Sequence, residues 1–206
     1  MDIMQETKGR KPSLYRGRQL RVGLFVDEIN IFRSCKYRYG YGPDYRKLRN
    51  LAVDENLLFR AIVYTVELNN PDKDDWVHWL PNLGFDVRSK PIRRTGAVDK
   101  ANWDVDICMD VVRMLDSIDI VVLASGDGDF VPLIRYCQGR GKIVRVISVH
   151  GSTASEMREI PDEHIVMSKE DLFIPDDVED RELSVEEVQV SGHGERVSLR
   201  GSSENL

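Results

Sequence analysis

Carboxylates gather at three places in this chain, two of them where apolar runs end. Residues 20–26 lead directly into Asp27-Glu28-Ile29-Asn30, which sets a carboxylate and an amide about one helical turn apart. Residues 118–124 end in Ser125-Gly126-Asp127-Gly128-Asp129, where the glycines permit a tight turn and two carboxylates project from it. Between these blocks, Asp104, Asp106 and Asp110 occupy the start of a segment with helical spacing. Four or more carboxylates meeting in one place repel, because each disfavours ionisation of its neighbours. A hard divalent cation resolves the conflict, and oxygen donors without nearby His or Cys point to Mg²⁺ or Mn²⁺ rather than Zn²⁺. Such an ion can activate water and steady the charge that develops on a phosphate during in-line displacement.

Each motif also has a plainer use. Asp-Gly-Asp is a common turn, Asn30 can cap its own turn, and Ser125 can do the same. What favours a pocket is that one cause accounts for Asp27, Asp104 and the Asp127/Asp129 pair together. Asp106 reads as part of a solvated helix face. Asp110, four residues on along that face, either braces the pocket or pairs with Arg113.

The elements that must position these groups alternate between strand and helix, a pattern that demands helices over a mainly parallel sheet. Strands are expected at residues 20–26, 59–66, 85–93, 118–124 and 143–149, with a sixth at one edge over 164–167. Helices are expected at 29–34, 45–51, 75–83, 104–115 and 130–138, and Trp76 and Trp79 are expected to face the sheet from the third of these. Ile107, Val111, Met114 and Leu115 make an apolar stripe on the Asp104 helix. Ligands of open α/β sheets bind beyond the carboxyl ends of the strands, where these groups can converge.

Composition bounds the rest. At 206 residues and 41% hydrophobic content the chain can bury one full core. We expect a domain over residues 19–173, a basic arm over 1–18 carrying Lys8, Arg10, Lys11, Arg16 and Arg18, and an acidic tail over 174–206. The apolar runs are strand-length, and the N-terminus lacks a secretory core, so a cytoplasmic protein without a membrane span is expected. Cys35, Cys108 and Cys137 are odd in number and widely spaced, which fits reduced thiols, the last two in helix cores. A net charge of −6 argues against a general polyanion binder. Gly126-x-Gly128 lacks the third glycine of a dinucleotide fingerprint, no phosphate-binding P-loop occurs, and Ile29 stands where an aspartyl-phosphate phosphatase needs a second Asp. A Toprim-type domain also places Asp-x-Asp after a strand, but it explains Asp27 and Asp104 less well.

Three blocks taken in order carry a family resemblance. They are Phe25-Val26-Asp27-Glu28-Ile29-Asn30, then Lys100 with Trp103 through Asp110, then Leu123-Ala124-Ser125-Gly126-Asp127-Gly128-Asp129-Phe130-Val131-Pro132-Leu133. Over roughly residues 20–170 the chain resembles the NYN family, in its LabA-like or DUF88 group. The resemblance implies a PIN-like three-layer α/β/α sandwich with Rossmann-like topology and a mainly parallel sheet. It implies a metal-dependent ribonuclease, with Asp27, Asp104, Asp127 and Asp129 as acidic ligands and Asn30 and Ser125 as polar pocket residues. A homodimer is a further family-based expectation. Two departures stand out: Glu28 replaces the usual Gly and either adds a ligand or crowds the entrance, and the lysine that commonly precedes the helix Asp is displaced to Lys100.

Nucleic-acid contact is suggested by residues 33–47, where Arg33, Lys36, Arg38, Arg46 and Lys47 are interspersed with Tyr37, Tyr39, Tyr41 and Tyr45. Basic groups hold phosphates while tyrosines stack on unpaired bases. An ordered loop packing its tyrosines onto neighbouring helices explains the same pattern. Arg93, Arg94 and Lys100 lie ahead of the acidic helix and can line the same groove. The resulting expectation is an endoribonuclease acting on single-stranded RNA through metal-activated water. The alternative is a non-catalytic RNA-binding or regulatory protein of the LabA-like type, motivated by Glu28 and by the acidic tail as a segment for a protein partner.

Overall fold

Strand β1 (Arg21–Asp27) is apolar on successive residues because both its faces are covered: Val22, Leu24 and Val26 enter one core cluster and Phe25 the other. A strand of this kind is satisfied only inside a sheet with helices on both sides. The same alternation recurs in β6 (Ile120–Ala124), where Ile120, Val122 and Ala124 face the first cluster and Val121 and Leu123 the second. The computed structural model describes residues 19–67, 77–91, 93–95, 98–100 and 103–173, with backbone alone for 93–95 and 98–100. The expected arm (1–18) and tail (174–206) lie outside the described residues. Every element below belongs to the unit Met1–Ile174.

Strands β1, β2 (Leu57–Glu67), β3 (Phe85–Pro91), β6, β7 (Ile143–Val149) and β8 (Glu163–Met167) form one sheet in the order β3-β2-β1-β6-β7-β8. Every adjacent pair in it is parallel. Helices α1 (Glu28–Tyr39) and α2 (Tyr45–Val53) contribute to the core on one face, burying Ile31, Cys35, Tyr45, Leu48 and Ala52. Helices α3 (Asp104–Met114), α4 (Val131–Gly139) and α5 (Ser155–Glu159) supply the other face through Ile107, Val111, Leu133, Ile134, Cys137 and Met157. The result is a three-layer α/β/α sandwich. Its winding moves outward from β1 to β3, returns to the centre at β6, and then runs outward the other way. The point of reversal lies between β1 and β6, and their carboxyl ends open a crevice there.

Several boundaries differ from expectation for local reasons. Helix α1 runs to Tyr39 instead of stopping at residue 34, because Ile31 and Cys35 continue a buried stripe and Lys36 and Arg38 suit the negative end of the helix dipole. Gly40, at φ 82°, ends it, donating its N–H to the Lys36 carbonyl. Strand β3 stops at Pro91, and Arg93 belongs instead to a small antiparallel pair, β4 (Arg93–Thr95) with β5 (Val98–Lys100). Of the expected 75–83 helix, residues 77–79 are helical and Leu80–Leu83 form a 3-10 turn with Pro81 near its start. Trp79 is exposed under the Arg46 guanidinium, 5.8 Å from its ring centroid, rather than packed on the sheet, and Trp76 lies outside the described residues. The three cysteines are free, Cys35 and Cys137 buried and Cys108 half-buried. No helix among the described residues is long and apolar enough to cross a membrane.

Candidate functional site

Asp27 is both the last residue of β1 and the N-cap of α1. Its carboxylate accepts the Asn30 backbone N–H at 3.2 Å and the Ser125 hydroxyl at 3.3 Å, which ties the end of β1 to the turn after β6. The Asn30 side chain strengthens the same tie from α1: its Oδ1 accepts the Gly126 backbone N–H at 2.9 Å, a long-range bond in place of the local cap considered for it. Ser125 is buried, and its Oγ also accepts the Asp127 N–H at 3.2 Å. Asp127 then caps the 3-10 turn Gly128–Phe130, its Oδ1 accepting the Asp129 N–H at 3.0 Å.

Gly126 is required by closeness. A Cβ there would stand 2.7 Å from the Ser152 carbonyl oxygen and 3.1 Å from Thr153 Cα. The Gly126 carbonyl accepts the Ala154 N–H at 3.0 Å, so the segment after β7 holds the turn from behind.

Asp104 begins α3 directly after Trp103. That indole is buried, donates to the Thr65 carbonyl at 2.8 Å and packs edge-on against Tyr64 with centroids 5.4 Å apart. Asp104, Asp127 and Asp129 each offer a carboxylate oxygen, and these lie within 4.8 Å of one another. Asp27 and Asp104 join Asn30, Arg33, Ser34, Trp103 and Asp127 around a cavity of about 300 Å³. Burial pushes the Asp27 carboxyl up to about 6, and the negative charges of Asp104 and Asp127 push the same way against the bonds from Asn30 and Ser125. A carboxyl whose ionisation is opposed by burial and by its neighbours, beside three carboxylates within reach of a common centre, is an arrangement that a hard dication neutralises. The donors are all oxygen, so the residues present fit Mg²⁺ or Mn²⁺.

The remaining candidates are distributed differently. Glu28 does not line the cavity; it is buried and accepts the Thr65 hydroxyl at 2.8 Å. Asp106 pairs with Lys90, whose ammonium also lies 4.0 Å above the Trp103 ring. Asp110 is buried rather than on a solvated face, where it accepts from Tyr64 at 2.8 Å and meets Arg88 at 2.9 Å and Arg113 at 3.5 Å. It braces α3 against β2 and β3. Of the basic and aromatic set, Arg33 lines the cavity. Lys36 bonds the Gly40 carbonyl, Arg38 covers the Tyr39 ring, and the Tyr39 hydroxyl donates to the Met167 carbonyl at 3.0 Å. Tyr37 is 91% exposed. Arg93, Arg94 and Lys100 lie on the β4–β5 pair, and their side chains are outside the described residues.

Trp103 and Ser34 line the cavity without having been singled out in the sequence. Ser34 was accessible to reasoning, since it stands four residues after Asn30 on a helix. A buried Trp carries no such signal, because core packing explains it equally well.

Comparison with known proteins agrees with this architecture. The NYN domain family matches residues 21–168. The low amplitude and bright protein LabA of Synechococcus elongatus is 28% identical over 166 residues, covering 76% of this chain and 89% of that protein. An uncharacterized protein of Methanocaldococcus jannaschii is 25% identical over 152 residues, which are 73% of this chain and 56% of that protein. The crystal structure of a protein of unknown function from Vibrio parahaemolyticus superposes with a TM-score of 0.71 at 30% identity, covering 76% of this chain and 98% of that one.

Proposed function

The chain belongs to the NYN domain family, and from that membership we propose that it is a metal-dependent ribonuclease acting on single-stranded RNA. The observation that carries the reading is the meeting of Asp104, Asp127 and Asp129, with their oxygens within 4.8 Å of one another, beside an Asp27 that lines the same cavity. Asp27, Asp104, Asp127 and Asp129 would hold Mg²⁺ or Mn²⁺. When bound, the ion supplies positive charge at the phosphate and acidifies water for in-line displacement.

The chain's own groups do the positioning. Asn30 and Ser125 each donate to one oxygen of the Asp27 carboxylate, from two different elements, and so orient it. Trp103 walls the cavity with an apolar ring and keeps bulk water off that side. Arg33 stands at the same cavity and offers a guanidinium fork to a phosphate.

The full chain incubated with unstructured RNA and Mn²⁺ or Mg²⁺ is expected to cleave it, and Asp127→Asn is expected to lose that cleavage at unchanged fold. Cleavage by the variant at the wild-type rate removes the mechanism. RNA binding without cleavage under either metal leaves a non-catalytic RNA-binding protein.

A further inference from the structure

Helix α1 turns Asn30, Arg33 and Ser34 toward the cavity. Side chains three, four and seven residues apart share one stripe of a helix, and Tyr37 is the next position on this one: three past Ser34, four past Arg33 and seven past Asn30. Another face of the helix carries Ile31 and Cys35 into the core, so the stripe is not its buried face. Tyr37 differs from the other tyrosines nearby. Tyr45 is 3% exposed, and Tyr39 is tied through its hydroxyl to β8, whereas the Tyr37 ring is 91% exposed.

We infer that this stripe is the path of a single RNA strand leaving the cavity, with Arg33 on its backbone and the Tyr37 ring as the platform on which an unpaired base stacks. Seven helical residues rise about 10 Å, which puts the stacked base on the order of two nucleotides from the phosphate in the cavity. A paired base keeps its faces inside the duplex stack, so such a ring takes only unpaired strand. The inference rests on the nuclease reading for the identity of the cavity, but its test does not need cleavage.

Binding of a fluorescent oligouridylate of about a dozen nucleotides to the full chain is measured by anisotropy, with Ca²⁺ in place of Mn²⁺. Tyr37→Ala is expected to weaken binding about tenfold, while Tyr37→Phe keeps it. A single abasic nucleotide, moved along the strand, is expected at one position to weaken the wild type and leave Tyr37→Ala unchanged. Wild-type affinity in a Tyr37→Ala protein with an unaltered melting curve overturns the path and leaves the nuclease reading standing. Tyr37-dependent binding without cleavage in Mn²⁺ does the reverse. A wild type that does not bind the strand overturns the path outright.

Discussion

Asp27 receives two opposed instructions from its surroundings. Accepting a backbone N–H at a helix start favours the carboxylate, whereas burial and two neighbouring carboxylates favour the acid, and the second set wins, at about 6. An unfolded Asp titrates near about 3.9, so between those values the native state binds more protons than the unfolded one. The stability this group contributes is therefore complete below the unfolded value and is lost as pH rises through about 6. Asp27→Asn keeps an acceptor for the cap and removes the loss. In chelator at pH 7.5 the variant is expected to be more stable than wild type by about 1–3 kcal/mol, with the gap closing below pH 4. Urea unfolding at both pH values measures this, and a wild type as stable as the variant at pH 7.5 refutes it. A carboxyl whose charge costs stability without metal is thus one proposed to hold it, a conflict of stability with function.

At the scale of elements, the site depends on the turn 125–129 being held from two sides. Asn30 pins it from α1, and the segment following β7 pins it at Gly126. That segment is itself anchored: Thr153 donates to the Val149 carbonyl at 2.8 Å and shares a 2.7 Å hydroxyl contact with Ser148. Gly126→Ala would drive a methyl group into the Ser152 carbonyl, an overpacking cost of about 1–3 kcal/mol. It is expected to lower both the melting temperature and Mn²⁺-dependent cleavage, since Asp127 moves with the turn. Gly40→Ala, at the positive-φ end of α1, is expected to cost about 1 kcal/mol and leave cleavage unchanged. Similar cleavage losses in the two variants would show that stability, not the position of the turn, governs activity. The sequence marked residue 126 as a turn glycine. Its true constraint, a backbone arriving from beyond β7, is not a local property.

At the scale of the molecule, the crevice is assembled from elements in distant parts of the chain. Asp27, Asp104 and Asp127 approach one another only when β1, β6 and α3 are assembled, so a cation that binds them binds the folded state alone. Mn²⁺ at about a hundred times its Kd should then stabilise the protein by roughly 2.7 kcal/mol. The shift in melting temperature is expected to be larger at pH 7.5 than at pH 5.5, because below about 6 the ion must displace the Asp27 proton. Thermal unfolding with and without Mn²⁺ at both pH values, for wild type and Asp127→Asn, checks this. An equal shift in the variant would place the ion elsewhere.

Apolar periodicity by itself determined the alternation of strand and helix and put carboxylates at the ends of β1 and β6, because which side chains must be buried is written along each segment. Only the tertiary structure decided that these two strands are neighbours, since strand order follows from long-range pairing that no segment encodes alone. It also separated acidic residues that look alike in the sequence. Asp104 and Asp110 share one helix, yet the first meets the other carboxylates and the second meets Tyr64 and Arg88, because a side chain's role is set by what packs across from it.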